Sequence, residues 1–279
     1  MKKISLLIIL LFVSLASFAN TLSENLNSYF TEIDLSENDS VSILLNEKIK
    51  KEVTAFAREN ANFYQTSLGC SRIGSVISSD NKLKIISWNF KLSDGTFAYE
   101  AVIIKNTGGK KAKVKTWNTS CNEAFKAAEN KRYSLGKWYG ALYYSVVPWK
   151  GDYILLGYST YNNISKVKVI DVLSFENKTP SFGEKVFKKE NKVYQRMVFE
   201  YSFMANMSLV YNSERKEFVF DHLSPEEPSM KGLYQYYGPD FSVDVLRENR
   251  TTMQRESSSG RPSGRQPGLR KSSCRAWDQ

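Results

Sequence analysis

The residue most able to perform acid–base chemistry is the single histidine of the chain, His222. Asp221 precedes it directly and Asp240 and Asp244 lie downstream, and a carboxylate beside an imidazole is a common acid–base arrangement. On a strand, however, Asp221 and His222 point to opposite faces, which argues against a direct pair. A strand-end histidine with a local hydrogen bond is the simpler interpretation, and no catalytic residue is predicted.

Aromatic side chains give a better indication of a binding site. Several cluster around one predicted hairpin, and others lie near the end of the strand-rich region. Exposed rings can stack on sugar faces or receive an extended peptide, whereas buried rings are ordinary core packing. The candidate ligand-binding residues are Trp138, Tyr144, Trp149, Tyr237, Asp221, His222 and Asp240.

Several kinds of site are excluded by residue type. One histidine cannot build a multi-histidine metal centre, and no two cysteines have the C-x-x-C spacing of a zinc module. The chain also lacks the motifs of a nucleophile elbow, a phosphate loop and a zinc protease. We therefore predict no metal and no cofactor. Paired carboxylates for glycoside cleavage cannot be chosen from sequence, because their pairing is spatial.

The net charge of +10 is unevenly distributed. Eight basic and three acidic residues give residues 246–279 a charge of +5, and two lysines begin the chain, which leaves +3 for residues 20–245. A nucleic-acid-binding protein needs a basic footprint on its folded body. A nucleic-acid partner is therefore not expected.

The N-terminus has the pattern of an export signal over residues 1–19. Lys2 and Lys3 precede an apolar run over residues 4–16, and Ser17 and Ala19 supply small residues before a cleavage point. No other stretch is long and apolar enough to span a membrane after removal of this signal. The expected location is the periplasm or the outside of the cell. In that oxidising setting, a Cys70–Cys121 disulfide and two buried thiols are both open alternatives.

The predicted fold class is mainly β, with one N-terminal amphipathic helix. In the segment over residues 20–67, apolar residues at helical spacing predict a helix at about 40–64. Over residues 68–245 the period changes to two, which predicts an antiparallel meander of a propeller-like or sandwich type. The propeller interpretation divides it into about four sheets. The clearest strand signal is the alternation from Phe199 to Tyr211.

The last segment, residues 246–279, differs from the rest of the chain. It is rich in Arg, Ser and Gly, with one lysine and seven arginines, whereas residues 1–245 contain 26 lysines and five arginines. This change indicates either a non-native coding segment or a basic interaction tail. Both interpretations predict disorder.

A run of short motifs extends over about residues 137–244. The motifs are Tyr139–Tyr144, Leu155–Tyr158, Val169–Leu173, Phe182–Gly183, Val186–Lys188, Arg196–Ser202, Met207–Leu209, Phe220–Leu223 and Gly232–Asp240. Together they resemble an uncharacterised family of exported Gram-negative bacterial envelope proteins. The resemblance implies an envelope location but no activity and no catalytic residue.

Three functions follow as hypotheses. The first is an exported, non-catalytic β scaffold that binds an envelope protein or a glycan. The second is a glycan-directed hydrolase with unidentified carboxylates, for which a deep pocket lined by carboxyl groups would be the structural sign. The third is a structural protein whose aromatic rings are all buried.

Overall fold

The computed structural model describes residues 21–59, 68–108, 114–176, 179–189, 191–249 and 252–257. Within these described residues, two α-helices, α1 over residues 21–35 and α2 over Asp39–Glu59, precede sixteen strands. The strands are β1 Gly74–Ile77, β2 Leu83–Lys91, β3 Phe97–Asn106, β4 Val114–Cys121, β5 Tyr133–Ser134, β6 Leu142–Trp149, β7 Asp152–Ser159, β8 Ser165–Ser174, β9 Ser181–Phe182, β10 Phe187–Lys189, β11 Lys192–Tyr194, β12 Arg196–Ser202, β13 Leu209–Asn212, β14 Glu217–Pro225, β15 Tyr237–Asn249 and β16 Thr252–Ser257.

The strands form three sheets. Sheet 1 has the order β1-β2-β3-β4 and is antiparallel throughout. Sheet 2 has the order β5-β9-β8-β7-β6, and β12 also pairs with β8. Sheet 3 has the order β11-β10-β16-β15-β14-β13, with a parallel pair between β10 and β16. The prediction of a mainly β, antiparallel fold is confirmed, although three sheets are formed where the propeller interpretation required about four.

The sheets stack face to face with the helices on one outer side. One core cluster joins the helices to sheet 1, a second joins sheet 1 to sheet 2, and a third joins sheet 2 to sheet 3. Sheets 1 and 2 are therefore covered on both faces. This explains why β2 is buried along almost its whole length, since both of its faces meet a hydrophobic layer.

Helix α2 confirms the prediction from apolar spacing. Ile49 and Val53 are fully buried against sheet 1, and Asn38 caps the helix by accepting a hydrogen bond from Ser40 N at 2.9 Å. Residues 60–64 of the predicted helix lie outside the described residues, as does the predicted export signal over residues 1–19.

Helix α1 was not predicted, although its sequence contains the same signal. Leu22, Leu26, Phe30 and Ile33 follow each other at steps of four, four and three, and all four are buried in the cluster that includes α2. Its apolar face completes the cover of sheet 1.

The predicted strand from Phe199 to Tyr211 is wrong in one respect, because the structure divides it. Strand β12 ends at Ser202, a turn follows at Phe203 and Met204, and β13 starts at Leu209. The two parts belong to different sheets. Alternation of apolar residues continues across the break, but Phe203 is exposed. The pattern at this position therefore does not correspond to a buried face.

The predicted end of the β domain at residue 245 is also wrong. Strand β15 runs on to Asn249, and β16 pairs with β15 on one side and with β10 on the other. Leu246 and Met253 are buried in the third core cluster, and this apolar burial favours order despite the polar composition. Residues 246–249 and 252–257 are thus ordered, and residues 258–279 lie outside the described residues.

Of the two alternatives left open for Cys70 and Cys121, the structure has the buried thiols and not the disulfide. Cys70 and Cys121 are both buried free thiols. Cys70 lies in the cluster between the helices and sheet 1, whereas Cys121 lies in the cluster between sheets 1 and 2. Sheet 1 therefore separates them, and burial raises the pKa of the Cys121 thiol to about 11, which makes it a poor nucleophile at neutral pH.

Candidate functional site

Trp138, the first candidate ring, is part of the core. It is 1% exposed between sheets 1 and 2, stacks on Phe182 at a centroid distance of 6.2 Å, and donates its Nε1 hydrogen to Tyr143 Oη at 2.9 Å. Its polar group is satisfied within the protein and its ring faces are covered. Trp138 therefore does not belong to a ligand site.

Tyr144, the second candidate ring, lies at a cavity of about 570 Å³ at the margin of the layer between sheets 2 and 3, which we call the Lys/Tyr cavity. Its ring is exposed, and its hydroxyl donates to Leu209 O of β13 at 3.1 Å. That hydrogen bond joins β6, an edge strand of sheet 2, to β13, an edge strand of sheet 3. The cavity lining consists of Leu142, Tyr143, Tyr144, Ser145, Leu156, Tyr158, Lys166, Lys168, Tyr201, Asn206, Met207, Ser208, Leu209, Val210 and Tyr211.

The Lys/Tyr cavity is positively charged. Lys166 and Lys168 lie on the same face of β8, half-buried, and the Lys168 ammonium is 5.3 Å from the centroid of the Tyr144 ring. Among the described residues that line the cavity, none is Asp or Glu. A ring and a cation at this distance attract each other, so Tyr144 and Lys168 form a preorganised pair on the wall.

Trp149 lies at the end of β6, half-buried beside the core between sheets 2 and 3. The Lys150 ammonium lies 4.8 Å from the centroid of its ring. Its buried Nε1 makes no hydrogen bond to any of the described residues. Trp149 does not line either described cavity.

Tyr237 and Asp221 meet at a second cavity of about 490 Å³, which we call the carboxylate cavity. Tyr237 packs against Tyr234 at a centroid distance of 5.1 Å, and Asp221 accepts a hydrogen bond from Ser208 N at 2.6 Å. The lining also includes the acids Glu129 and Glu200 and the bases Lys126, Lys189 and Arg255. Charges of both signs thus line this cavity.

The carboxylates of this cavity are held by protein donors. Glu200 accepts hydrogen bonds from Lys126 Nζ at 2.6 Å, Tyr161 Oη at 2.5 Å and Ser165 Oγ at 2.8 Å. Burial alone would raise the pKa of Glu200, but these hydrogen bonds and the Lys126 charge lower it below its ordinary value. Glu129 accepts from Val198 N at 3.2 Å.

The His222 side chain pairs with Asp244 and not with Asp221. Its Nδ1 lies 2.9 Å from Asp244 Oδ2, and Arg255 Nε donates to the same oxygen at 3.0 Å. Asp244 is completely buried, so the Arg255 guanidinium neutralises a buried carboxylate that the His222 ring also contacts. Since Arg255 comes from β16, this cluster also joins the last described strand to the rest of sheet 3.

Asp240 is exposed and serves a local turn. Its Oδ1 accepts hydrogen bonds from Ser242 Oγ at 2.6 Å and Ser242 N at 3.0 Å. The hydroxyl hydrogen bond is the main cause that lowers the pKa of this carboxyl. Asp240 lies outside the lining of both cavities.

The structure thus separates the seven candidates. Tyr144 lines one cavity, and Tyr237 and Asp221 line the other. The remaining four candidates line neither cavity: Trp138, Trp149, His222 and Asp240. Lys166 and Lys168 were not among the predicted site residues, although the sequence contains a signal for them: they alternate with the buried Val167 and Val169 along β8. Two lysines at that spacing must share the face opposite the valines.

Neither described helix is long and apolar enough to cross a bilayer. Comparisons of the chain with family models, with curated proteins and with solved structures gave no match. The two cavities and their surroundings are therefore the structural features that bear on function.

Proposed function

We propose that the chain is a non-catalytic β scaffold that binds an acidic glycan in the Lys/Tyr cavity. The observation that supports this most directly is the composition of its lining: two lysines, five tyrosines and no acidic residue among the described residues. The volume, about 570 Å³, suits a ligand of one or two sugar rings.

Each part of the lining has a role in such a site. The exposed Tyr144 ring presents a flat apolar surface to the C–H face of a sugar. Lys166 and Lys168 supply cations for a carboxylate or sulfate group, and their half-buried position weakens screening by solvent. Asn206 and Ser145 supply polar groups for sugar hydroxyls.

The proposal includes an envelope location. It is supported by the predicted export signal over residues 1–19 and by the resemblance to exported Gram-negative envelope proteins. Fractionation of a Gram-negative host, with sequencing of the mature N-terminus, tests this part. The expected result is a periplasmic or secreted protein that starts at Asn20, and an uncleaved cytoplasmic chain would contradict it.

Calorimetric titration tests the binding site. Oligosaccharides containing uronic acids are expected to bind, neutral oligosaccharides of the same length to bind weakly, and added salt to reduce affinity. The double variant Lys166→Gln/Lys168→Gln should weaken binding of the acidic ligand by roughly tenfold.

Lys192→Gln is the matched control, because it removes an exposed lysine from β11 at the opposite edge of sheet 3 from β13. It should bind like the parent chain. Equal binding by the double variant, or a preference for neutral sugars, would show that the Lys/Tyr cavity is not the site.

The alternative proposal is a glycan hydrolase that acts in the carboxylate cavity. It is favoured by three carboxylates on one lining, Glu129, Glu200 and Asp221, with Tyr234 and Tyr237 beside them. A general acid needs a raised pKa, however, and that of Glu200 is lowered. Release of reducing ends by the parent chain, abolished by Asp221→Asn or Glu129→Gln, would establish this alternative over the binding scaffold.

A further inference from the structure

Two neighbouring turns expose three large apolar side chains at one end of sheet 2. Ile164 is 59% exposed, Phe203 is 42% exposed and Met204 is 90% exposed. We call these three residues the apolar tip. Single exposed apolar residues are ordinary on protein surfaces, but a group of three on adjacent turns indicates a contact surface.

The strand register explains why these residues are neighbours. Ser165 of β8 pairs with Ser202 of β12, and Ile164 and Phe203 are the next residue on each strand beyond that last pair. The Phe203 N–H donates to Ile164 O at 3.1 Å, which holds the two turns together. Met204 follows in the same turn. The apolar tip is therefore a fixed feature of the sheet.

The flank of the apolar tip is basic. The Lys166 ammonium lies 5.0 Å from the centroid of the Phe203 ring and 3.5 Å from Asn206 Oδ1. Lys168 lies two residues further along the same face of β8. The nearby acid Glu200 is paired with Lys126 at 2.6 Å. Exposed apolar side chains bordered by lysines match the surface of a bilayer that contains anionic lipids.

We propose that the apolar tip docks this end of the protein on an anionic phospholipid bilayer. Ile164, Phe203 and Met204 enter the boundary between headgroups and acyl chains, and Lys166 and Lys168 contact lipid phosphates. This goes beyond the glycan proposal, because it concerns the apolar tip and a different ligand, although Lys166 and Lys168 border both the tip and the Lys/Tyr cavity. It also gives the exposed apolar residues a partner that removes them from water.

Vesicle flotation tests the proposal with the whole chain. Vesicles of phosphatidylcholine alone are compared with vesicles that also contain phosphatidylglycerol, at low and moderate salt. The chain is expected to float with the anionic vesicles and to be released by salt. Every variant shares the same N-terminal segment, so any contribution from residues 1–19 cancels when variants are compared.

The triple variant Ile164→Ser/Phe203→Ser/Met204→Ser should reduce vesicle partition by at least about tenfold. The control Leu35→Ser/Val193→Ser removes exposed apolar side chains from α1 and β11 and should partition like the parent chain. Thermal unfolding of both variants should match that of the parent chain, since the substituted side chains are exposed.

Three results would overturn the proposal: failure of the parent chain to float, equal flotation of the triple variant, or equal loss in the control. Loss of self-association in the triple variant, without any vesicle binding by the parent chain, would instead assign the apolar tip to an interface between copies. Titration of the triple variant with soluble acidic oligosaccharide separates this test from that of the cavity, because that binding should persist.

Discussion

The two faces of sheet 2 contain similar residues but enclose them differently. Toward sheet 1, the rings of Trp138, Tyr139 and Phe182 and the ion pair between Arg196 and Asp171 are fully buried. Toward sheet 3, tyrosines and lysines border an open cavity of about 570 Å³. A tyrosine beside a cation therefore does not by itself form a binding site. The segments that cover each face of the sheet determine whether such a pair lies in the core or at a cavity.

The closed face is sealed by the segment between β4 and β5. Arg196 Nε donates to Asp171 Oδ2 at 2.9 Å, while its Nη1 donates to Ala128 O at 2.6 Å and to Lys131 O. Its Nη2 donates to Phe182 O at 3.0 Å. The guanidinium thus attaches this segment to sheet 2. On the open face the facing edge strand, β13, has four residues and leaves the end of the layer uncovered.

The largest expected effect comes from breaking the buried ion pair. Arg196→Met leaves the Asp171 carboxylate buried without its cation and should cost about 3–5 kcal/mol of unfolding free energy, measured by urea denaturation. The double variant Asp171→Leu/Arg196→Met removes both charges and should recover part of the loss. A single variant within about 1 kcal/mol of the parent chain would contradict the view that this pair seals the closed face.

A second buried cation can be compared with Arg196, because it lies on sheet 1 and not on sheet 2. Lys84 lies on β2 and is 1% exposed, and burial lowers its pKa from 10.5 to about 8. Below pH 8 the folded chain must hold a buried ammonium. Between pH 8 and 10.5 the folded chain releases this proton while the unfolded chain retains it, so Lys84 makes stability rise with pH.

Lys84→Met should remove that contribution and stabilise the chain at pH 7 by about 3 kcal/mol. The measurement is the difference in unfolding free energy between variant and parent from pH 7 to 10, since the other titrating groups are common to both. The difference should shrink as pH rises. A difference that stays constant with pH would show that Lys84 does not titrate in this range.

The regular elements could be predicted where one apolar face repeats over several turns or strand pairs, as in α2. The break after Ser202 could not, because the apolar alternation continues through Phe203 although that ring is exposed. Burial depends on tertiary packing. Alternation of apolar residues therefore indicates a buried face only where another layer covers the strand. The strands over residues 246–249 and 252–257 could not be predicted for the same reason, since Leu246 and Met253 are isolated in a polar segment.

The candidate site was predictable only in part. Tyr144 was found because rings near a hairpin are conspicuous, yet Trp138 gave the same signal and is core. Lys166 and Lys168 were missed because lysine on an alternating strand normally faces solvent. Only the position of β13 beside β6 turns that face into a cavity, and no local pattern in the sequence specifies which edge strands meet.

Removing one tyrosine hydroxyl from each face of sheet 2 should have the smallest effect on stability and tests the difference between the faces most directly. Tyr139 Oη donates to Asp171 Oδ2 at 2.9 Å in the closed layer, whereas Tyr144 Oη donates to Leu209 O at 3.1 Å beside the open cavity. Tyr139→Phe should cost about 1.5 kcal/mol, because it leaves a buried carboxylate with one donor fewer. Tyr144→Phe should cost less than about 0.5 kcal/mol, because water can replace the lost donor.

Urea denaturation of the two variants at neutral pH measures this difference. Equal losses at both positions would mean that water does not reach the Leu209 carbonyl and that the cavity beside it is closed in solution. That result would remove the basis for a ligand there. A clear difference would instead show that the two faces of sheet 2 differ in access to solvent, which is the property that separates core from site in this fold.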